Sequence, residues 1–294
     1  MSHLTAFYDL EYGPVSYDFL TFLLRAMKVR DQMMLDGLHV VIVPKEDGLG
    51  GFARHWGKHD EHAARWRLWH IVVASCPLAK ATVTVAATRK QAQDIASWTG
   101  AVWWPEGKAH FIGPLVEAAR KGEMIPKLQA TEGARRYVGQ WLPDDGQKIV
   151  TLTTRHQDTS PDRNSDPEAW ELFEDWLMDK NYRVINVEDS NDALGRGQGY
   201  AELDPDLRLA LYERADMNCI ANNGPQDLLK FSAAPYLAFG QAPTVEWQAH
   251  FRKYFTLEPG EQLPWARADQ RLIYKPDTFE NMKAAFGEWE NRSG

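Results

Sequence analysis

The chain has 294 residues, of which 44 % are hydrophobic and 25 % charged, with a formal net charge of −8. This composition is ordinary for a soluble globular protein, and the length suits two domains of about 150 residues, each able to bury roughly 70 % of its unfolded surface. Negative net charge without a lysine- or arginine-rich run disfavours binding to a phosphate backbone, so no nucleic-acid partner is expected. No apolar stretch reaches the roughly 18–20 residues that cross a bilayer, and residues 1–13 (MSHLTAFYDLEYG) lack a signal-peptide pattern. A cytoplasmic protein without a transmembrane segment is expected, and a peripheral membrane contact stays open. Cys76 and Cys219 stand in apolar surroundings, which suits reduced, buried thiols better than a disulfide.

Residues 6–10 (AFYDL) read as a strand and residues 16–31 as a helix opened by Ser16. A short apolar strand follows at 39–44 (HVVIVP). Residues 45–58 (KEDGLGGFARHWGK) are too glycine-rich for regular structure and read as a functional or mobile loop. Residues 60–79 suit a helix, turning into strand at IVVAS. A strand is expected at 82–89, a helix at 89–98 and an extended segment at 101–107. Within 122–146 a helix closed by Pro143 precedes the turn DDG, and the linker is placed there, dividing the chain into domains 1–145 and 146–294.

The second half repeats the plan more sharply. KIVTLTTR (148–155) is a β-branched strand ending in an arginine, and 168–181 carries Trp170, Phe173, Trp176 and Leu177 at helical spacing. YRVINVEDS (182–190) is strand-like, LRLALYERA (207–215) helical, and MNCIANNGP (217–225) a strand running into a tight turn. Segments 227–234 and 235–240 complete the series. Beyond Gly240 the pattern weakens, and a last helix at 278–289 is expected to pack back on a neighbouring domain. Strands separated by helical segments imply right-handed crossovers and parallel sheets. The fold class is therefore α/β, with two doubly wound Rossmann-like domains facing a cleft. Ligands of such sheets bind beyond the carboxyl ends of the strands.

Five groups of residues fall in positions that could carry chemistry. Arg155 leaves a central strand, and its planar fork can grip a diphosphate or carboxylate; a structural ion pair is the alternative. Ser165 reads as the N-cap of the next helix, with Pro167 and Glu168 in its first turn, and that helix start offers an anion site. Arg163 adds charge there, or is a solvated loop residue. The turn Asn222, Asn223, Gly224, Pro225, Gln226 allows backbone to approach a phosphate or ribose, or is an ordinary turn. Glu188 and Asp189 at a strand end suit ribose hydroxyls, or capping. Asp9, after the first strand, is a candidate general base together with Asp47 and, near it, Glu11. Lys45, Gly48, Gly50 and Gly51 belong to the same loop, read as closing on the site from the acceptor side. His55, His59 and His62 could share a helix face, but the glycines around them argue for surface residues and no metal site.

The absence of GxxxxGK[ST], GxGxxG after a strand, HExxH and GxSxG lowers the P-loop, dinucleotide, zinc-hydrolase and serine-hydrolase readings. Twelve tryptophans invite a sugar-stacking interpretation, yet pairs such as Trp66 with Trp69 and Trp170 with Trp176 sit at core spacing.

Two doubly wound halves, Arg155 after the first strand of the second half, and NNGP at a later strand-to-helix turn resemble glycosyltransferases of the GT-B type, in the fucosyltransferase-like and heptosyltransferase-like branches. The resemblance implies a metal-independent transferase with a nucleotide sugar as co-substrate and no further cofactor. The C-terminal domain would hold the donor and the N-terminal domain a glycan or other small acceptor. It also implies that Arg155 contacts the donor diphosphate, that NNGP approaches the nucleotide sugar, and that a carboxylate near the first strand, here Asp9, serves as base. A nucleotide-sugar epimerase or hydrolase of the same fold, or a non-catalytic two-lobed binding protein, are the alternatives.

Overall fold

The computed structural model describes residues 2–46, 61–107, 109–142, 144–157, 161–188 and 204–293. Strand β1 (His3–Asp9) is followed by α1 (Phe19–Gln32), β2 (Gly37–Val43), α2 (Glu61–Arg67), β3 (Ala81–Val85), α3 (Arg89–Trp98), β4 (Val102–Trp103), α4 (Gly113–Arg120) and α5 (Glu132–Trp141). The second half runs β5 (Ile149–Thr153), α6 (Pro167–Asp179), β6 (Arg183–Asn186), α7 (Pro205–Arg214), β7 (Met217–Ile220), α8 (Gln226–Lys230), β8 (Tyr236–Ala238), α9 (Val245–Phe255), β9 (Gln270–Leu272) and α10 (Phe279–Ser293). Among the described residues these strands form two wholly parallel sheets, of order β3-β2-β1-β4 and β6-β5-β7-β8-β9. All of β5 and β7 is buried, as is β1 after its first residue, which is why these segments read as unbroken apolar or β-branched runs.

Helix starts follow local chemistry. Thr88, Thr131, Asp204 and Thr244 each accept a backbone N–H from the first turn of α3, α5, α7 and α9. α1 starts at Phe19 rather than Ser16, because the Ser16 hydroxyl bonds the Asp18 carboxylate at 2.7 Å and closes a turn. The IVVAS segment is not a strand. α2 continues into a π-helical stretch (Leu68–Val73), and the Ser75 hydroxyl donates to the Ile71 carbonyl at 2.6 Å, which a helix allows and a strand does not. Burial of Leu68, Ile71 and Val72 against the first sheet outweighs the β preference of the sequence.

The expected boundary at 145/146 lies beyond the point where the chain joins the second body. α5 packs on α7, with Thr131 N and Oγ1 donating to the two carboxylate oxygens of Asp206 at 2.7 and 2.6 Å and Arg135 Nε to Glu213 at 2.7 Å. The segment before it is tied to both halves, Leu128 N to Phe231 O and Gln129 N to Leu78 O. The last helix, α10, packs back on α6 within the second body, where Phe173, Phe286 and Trp289 share one apolar cluster. Trp170 is buried there, whereas Trp69 is 54 % exposed and leaves the core that its spacing suggested. Cys76 and Cys219 are buried free thiols. Among the described residues no helix is long and apolar enough to cross a membrane.

Candidate functional site

Both sheets reverse their strand order at one place, beside β1 in the first and between β5 and β7 in the second. Such switch points open a crevice at the carboxyl ends of the strands. The loop after β1 and the turn after β7 meet there: a Cβ on Gly224 would stand 2.9 Å from the ring of Tyr17. Gly224 therefore admits an aromatic ring of the first body, where the sequence reading had it admit a ligand.

Arg155 is 4 % exposed at the end of β5. Its N–H donates to Ser165 Oγ at 3.0 Å, and its Nη1 donates to the Asn164 side-chain carbonyl. Asn164 also bonds Gln157 through both side-chain atoms, so the loop folds over the strand end. Ser165 is not the N-cap of α6. Asp166 takes that place, accepting from Glu168 N at 3.2 Å, because the Ser165 hydroxyl is committed to Arg155.

Arg163 reaches across to the neighbouring strand end. Its Nη2 donates to the Asn222 carbonyl at 2.7 Å and to Asn222 Oδ1 at 3.1 Å, and its guanidinium lies 4.3 Å over the Trp247 ring. Burial and the nearby charge of Arg155 push the guanidinium down to about 10. Asn222 Nδ2 donates to Gly240 O, and Asn223 Nδ2 to Thr154 O. Pro225 opens the five-residue helix α8, and Gln226 is fully buried behind it, accepting from Gln241. Three side-chain atoms of this group are buried without a hydrogen-bond partner: Arg163 Nε, Asn223 Oδ1 and Gln226 Nε2. Glu188 follows β6, where its carbonyl accepts from Arg208. Asp189 lies outside the described residues.

Asp9 is committed elsewhere. Arg89 donates to both of its oxygens at 2.8 and 2.7 Å, Glu11 N donates at 2.9 Å and Trp104 Nε1 at 3.3 Å. Burial alone would raise this carboxyl, but the Arg89 and Glu11 hydrogen bonds and the Arg89 charge hold it below the usual carboxylate range. A carboxylate so stabilised is a poor proton acceptor, and the geometry corrects the reading of Asp9 as base. Lys45 lies two residues beyond the end of β2. Asp47, Gly48, Gly50, Gly51, His55 and His59, and the side chain of His62, lie outside the described residues. Among the described residues no three His, Cys, Asp or Glu side chains cluster as metal ligands do.

Between the bodies lies a pocket of about 450 Å³, bounded by the loop after β1, residues 110–112, α8 and α9. Part of the lining is aromatic: ring centroids step from His250 to Tyr254 (4.1 Å) and Phe111 (4.5 Å), and Trp247, outside the lining, continues the series at 5.1 Å from His250. The same lining carries Glu11, Asp18 and Asp227. Burial, opposed by Lys230 at 3.1 Å and reinforced by the charge of Asp18, pushes Asp227 up to about 6. Partial burial and the charge of Arg163 lower His250, which favours the neutral imidazole. These residues escaped the sequence reading. Trp247, His250 and Tyr254 at spacings of three and four, behind the capping residue Thr244, were the signal for an aromatic helix face.

No protein-family model matches the sequence, and no curated protein matches it. Among solved structures the fold is similar to that of an ADP-heptose LPS heptosyltransferase II from E. coli, with 12 % identity, 99 % of this chain and 100 % of that one covered, and a TM-score of 0.51. It is similar as well to a family 9 glycosyl transferase from Veillonella parvula, with 12 % identity over 97 % of this chain and 89 % of that one and a TM-score of 0.50. The likeness is one of fold: two Rossmann-like bodies around a cleft, the GT-B type.

Proposed function

We propose that the chain is a glycosyltransferase that moves a sugar from a nucleotide-activated donor to an acceptor hydroxyl, without a metal ion. The observation that carries this reading is the group at the β5/β7 switch point. Two arginines stand close enough for one to depress the other, beside buried polar atoms that lack partners. Buried polar groups are nearly always hydrogen-bonded, so such orphans point to a ligand. A diphosphate would relieve the repulsion between Arg155 and Arg163, and a ribose hydroxyl or base amine would satisfy Asn223 Oδ1. The fold supports the reading by analogy alone.

In the reaction the acceptor oxygen bonds the anomeric carbon as the bond to the diphosphate oxygen breaks. Negative charge grows on the leaving diphosphate, where Arg155 and Arg163 stabilise it; donors aimed at developing charge are usually the largest catalytic contribution. The acceptor proton goes to a carboxylate of the pocket. Asp227, held near 6, has the pKa of a base suited to neutral pH.

The test is release of nucleoside diphosphate from UDP-, GDP-, ADP- and CMP-activated sugars with and without a mixture of glycan acceptors. Acceptor-dependent release of nucleotide, with sugar appearing on the acceptor, is expected. Equal turnover of the donor alone would instead indicate a hydrolase or epimerase, and saturable binding without turnover a binding protein.

A further inference from the structure

The pocket between the bodies has a charge asymmetry that bears on what it can hold. Three carboxylates, Glu11, Asp18 and Asp227, face it, and among its described lining residues there is no lysine or arginine. The cations nearby lie outside that lining. Arg89 grips Asp9, Arg163 is bonded to Asn222 under Trp247, and Lys230 pairs with Asp227 from a position 5 % exposed. Lys253 lies against the Tyr254 ring at 5.1 Å, outside the lining. The lining also holds the rings of Phe111, His250 and Tyr254.

From this we infer that the pocket is an acceptor subsite that selects an uncharged or amino-bearing sugar ring and rejects a phosphorylated one. Aromatic rings offer a flat apolar wall for the C–H face of a pyranose. Carboxylates of the same lining accept hydrogen bonds from ring hydroxyls or pair with an ammonium, both charge-assisted contacts. A phosphate in the same space would meet like charge with no lysine or arginine among the described lining residues, and such juxtaposition is a discriminating device. The volume suits small ligands, being within the range of about 300–1,000 Å³ usual for them. The inference deepens the glycosyltransferase reading by giving its acceptor a chemical class, and it rests on that reading for the word acceptor.

The experiment measures binding without nucleotide, so that it does not depend on the donor site. Methyl β-D-glucopyranoside, methyl β-D-glucosaminide and glucose 6-phosphate are titrated against the full chain by saturation-transfer NMR. The neutral and amino rings should saturate, and the phosphate should bind at least about tenfold more weakly. Tyr254→Ala should weaken the neutral ring about fivefold or more by removing the stacking wall. Glu11→Lys, at an exposed position where folding is not at risk, should narrow the discrimination against phosphate. Phosphate binding as tight as the neutral ring, or failure of both unphosphorylated rings to bind, overturns the inference. A chain that binds these rings but no nucleotide sugar would leave the pocket's selectivity standing and sink the transferase reading instead.

Discussion

Arg163 lies over Trp247, its guanidinium carbon 4.3 Å from the ring centroid, while its Nη2 reaches Asn222. One side chain thus joins the loop after β5, the turn after β7 and helix α9. Nη2 alone makes both hydrogen bonds to Asn222, but the flat stack of a guanidinium on an indole is arginine chemistry that lysine does not reproduce. Removal of Arg155 or Arg163 is expected to cost about 2–4 kcal/mol of transition-state stabilisation. Arg163→Lys keeps the charge but loses the planar stack on Trp247, so donor binding should weaken about tenfold while the fold survives. Titration of a nucleotide sugar against the variants, with thermal unfolding as control, checks this. Unchanged binding in Arg163→Lys would show that the guanidinium only braces α9.

Asp9 is expected to contribute to stability and not to proton transfer. Its carboxyl is held below the ordinary range, so the contribution is complete above the unfolded value near 4 and is lost as pH falls through the lower folded value. Asp9→Asn should destabilise by about 1.5–3 kcal/mol at pH 7, through loss of charge-assisted bonds to Arg89, and by much less near pH 3. Denaturant unfolding at the two pH values measures it. An equal loss at both would mean that the ion pair is not the cause.

Asp227 should behave in the opposite way. Its carboxyl is raised to about 6, so ionising it costs folding free energy that appears between the unfolded value near 4 and pH 6 and persists above. Asp227→Asn should therefore stabilise the protein at pH 7.5 relative to pH 4, by on the order of 2 kcal/mol, the Lys230 pairing being already contained in the raised value. The same variant should lower kcat and remove the rise in activity through pH 6. Full activity with an unaltered pH profile would exclude Asp227 as the base.

Gly224 is expected to tolerate no side chain. A methyl group at 224 would press on the Tyr17 ring at 2.9 Å, an overpacking that costs about 1–3 kcal/mol. Gly224→Ala should lower the unfolding midpoint, and Tyr17→Leu in the same chain should restore part of it. Absence of any recovery in the double variant would mean that the two residues do not touch.

Much of the second body was legible because its strands are short apolar runs with polar residues at their ends. β5, β7 and β8 fall within the segments read as strands, and Arg155, Asn222 and Asn223 stand at the carboxyl ends where parallel sheets bind ligands. Capping was less legible: Ser165 and Asp166 are both good N-caps, and Asp166 takes the place because Arg155 N–H donates to the Ser165 hydroxyl. The base candidate was misplaced because the partner of Asp9 is Arg89, eighty residues away in sequence. Asp18 and Asp227 come together across the cleft, a contact no local pattern records. β9 consists of three residues, paired among the described residues with β8 alone, and is too short for its alternation to be seen.

The most direct measurement is isothermal titration of UDP-, GDP-, ADP- and CMP-activated sugars into the wild-type chain and into Arg155→Ala and Asn223→Ala. One nucleotide class should bind at a single saturable site, and both variants should weaken it about tenfold or more, since each removes a group that the proposal assigns to the donor. Binding of no nucleotide sugar, or binding that both variants leave intact, would contradict a donor site at the carboxyl ends of β5 and β7.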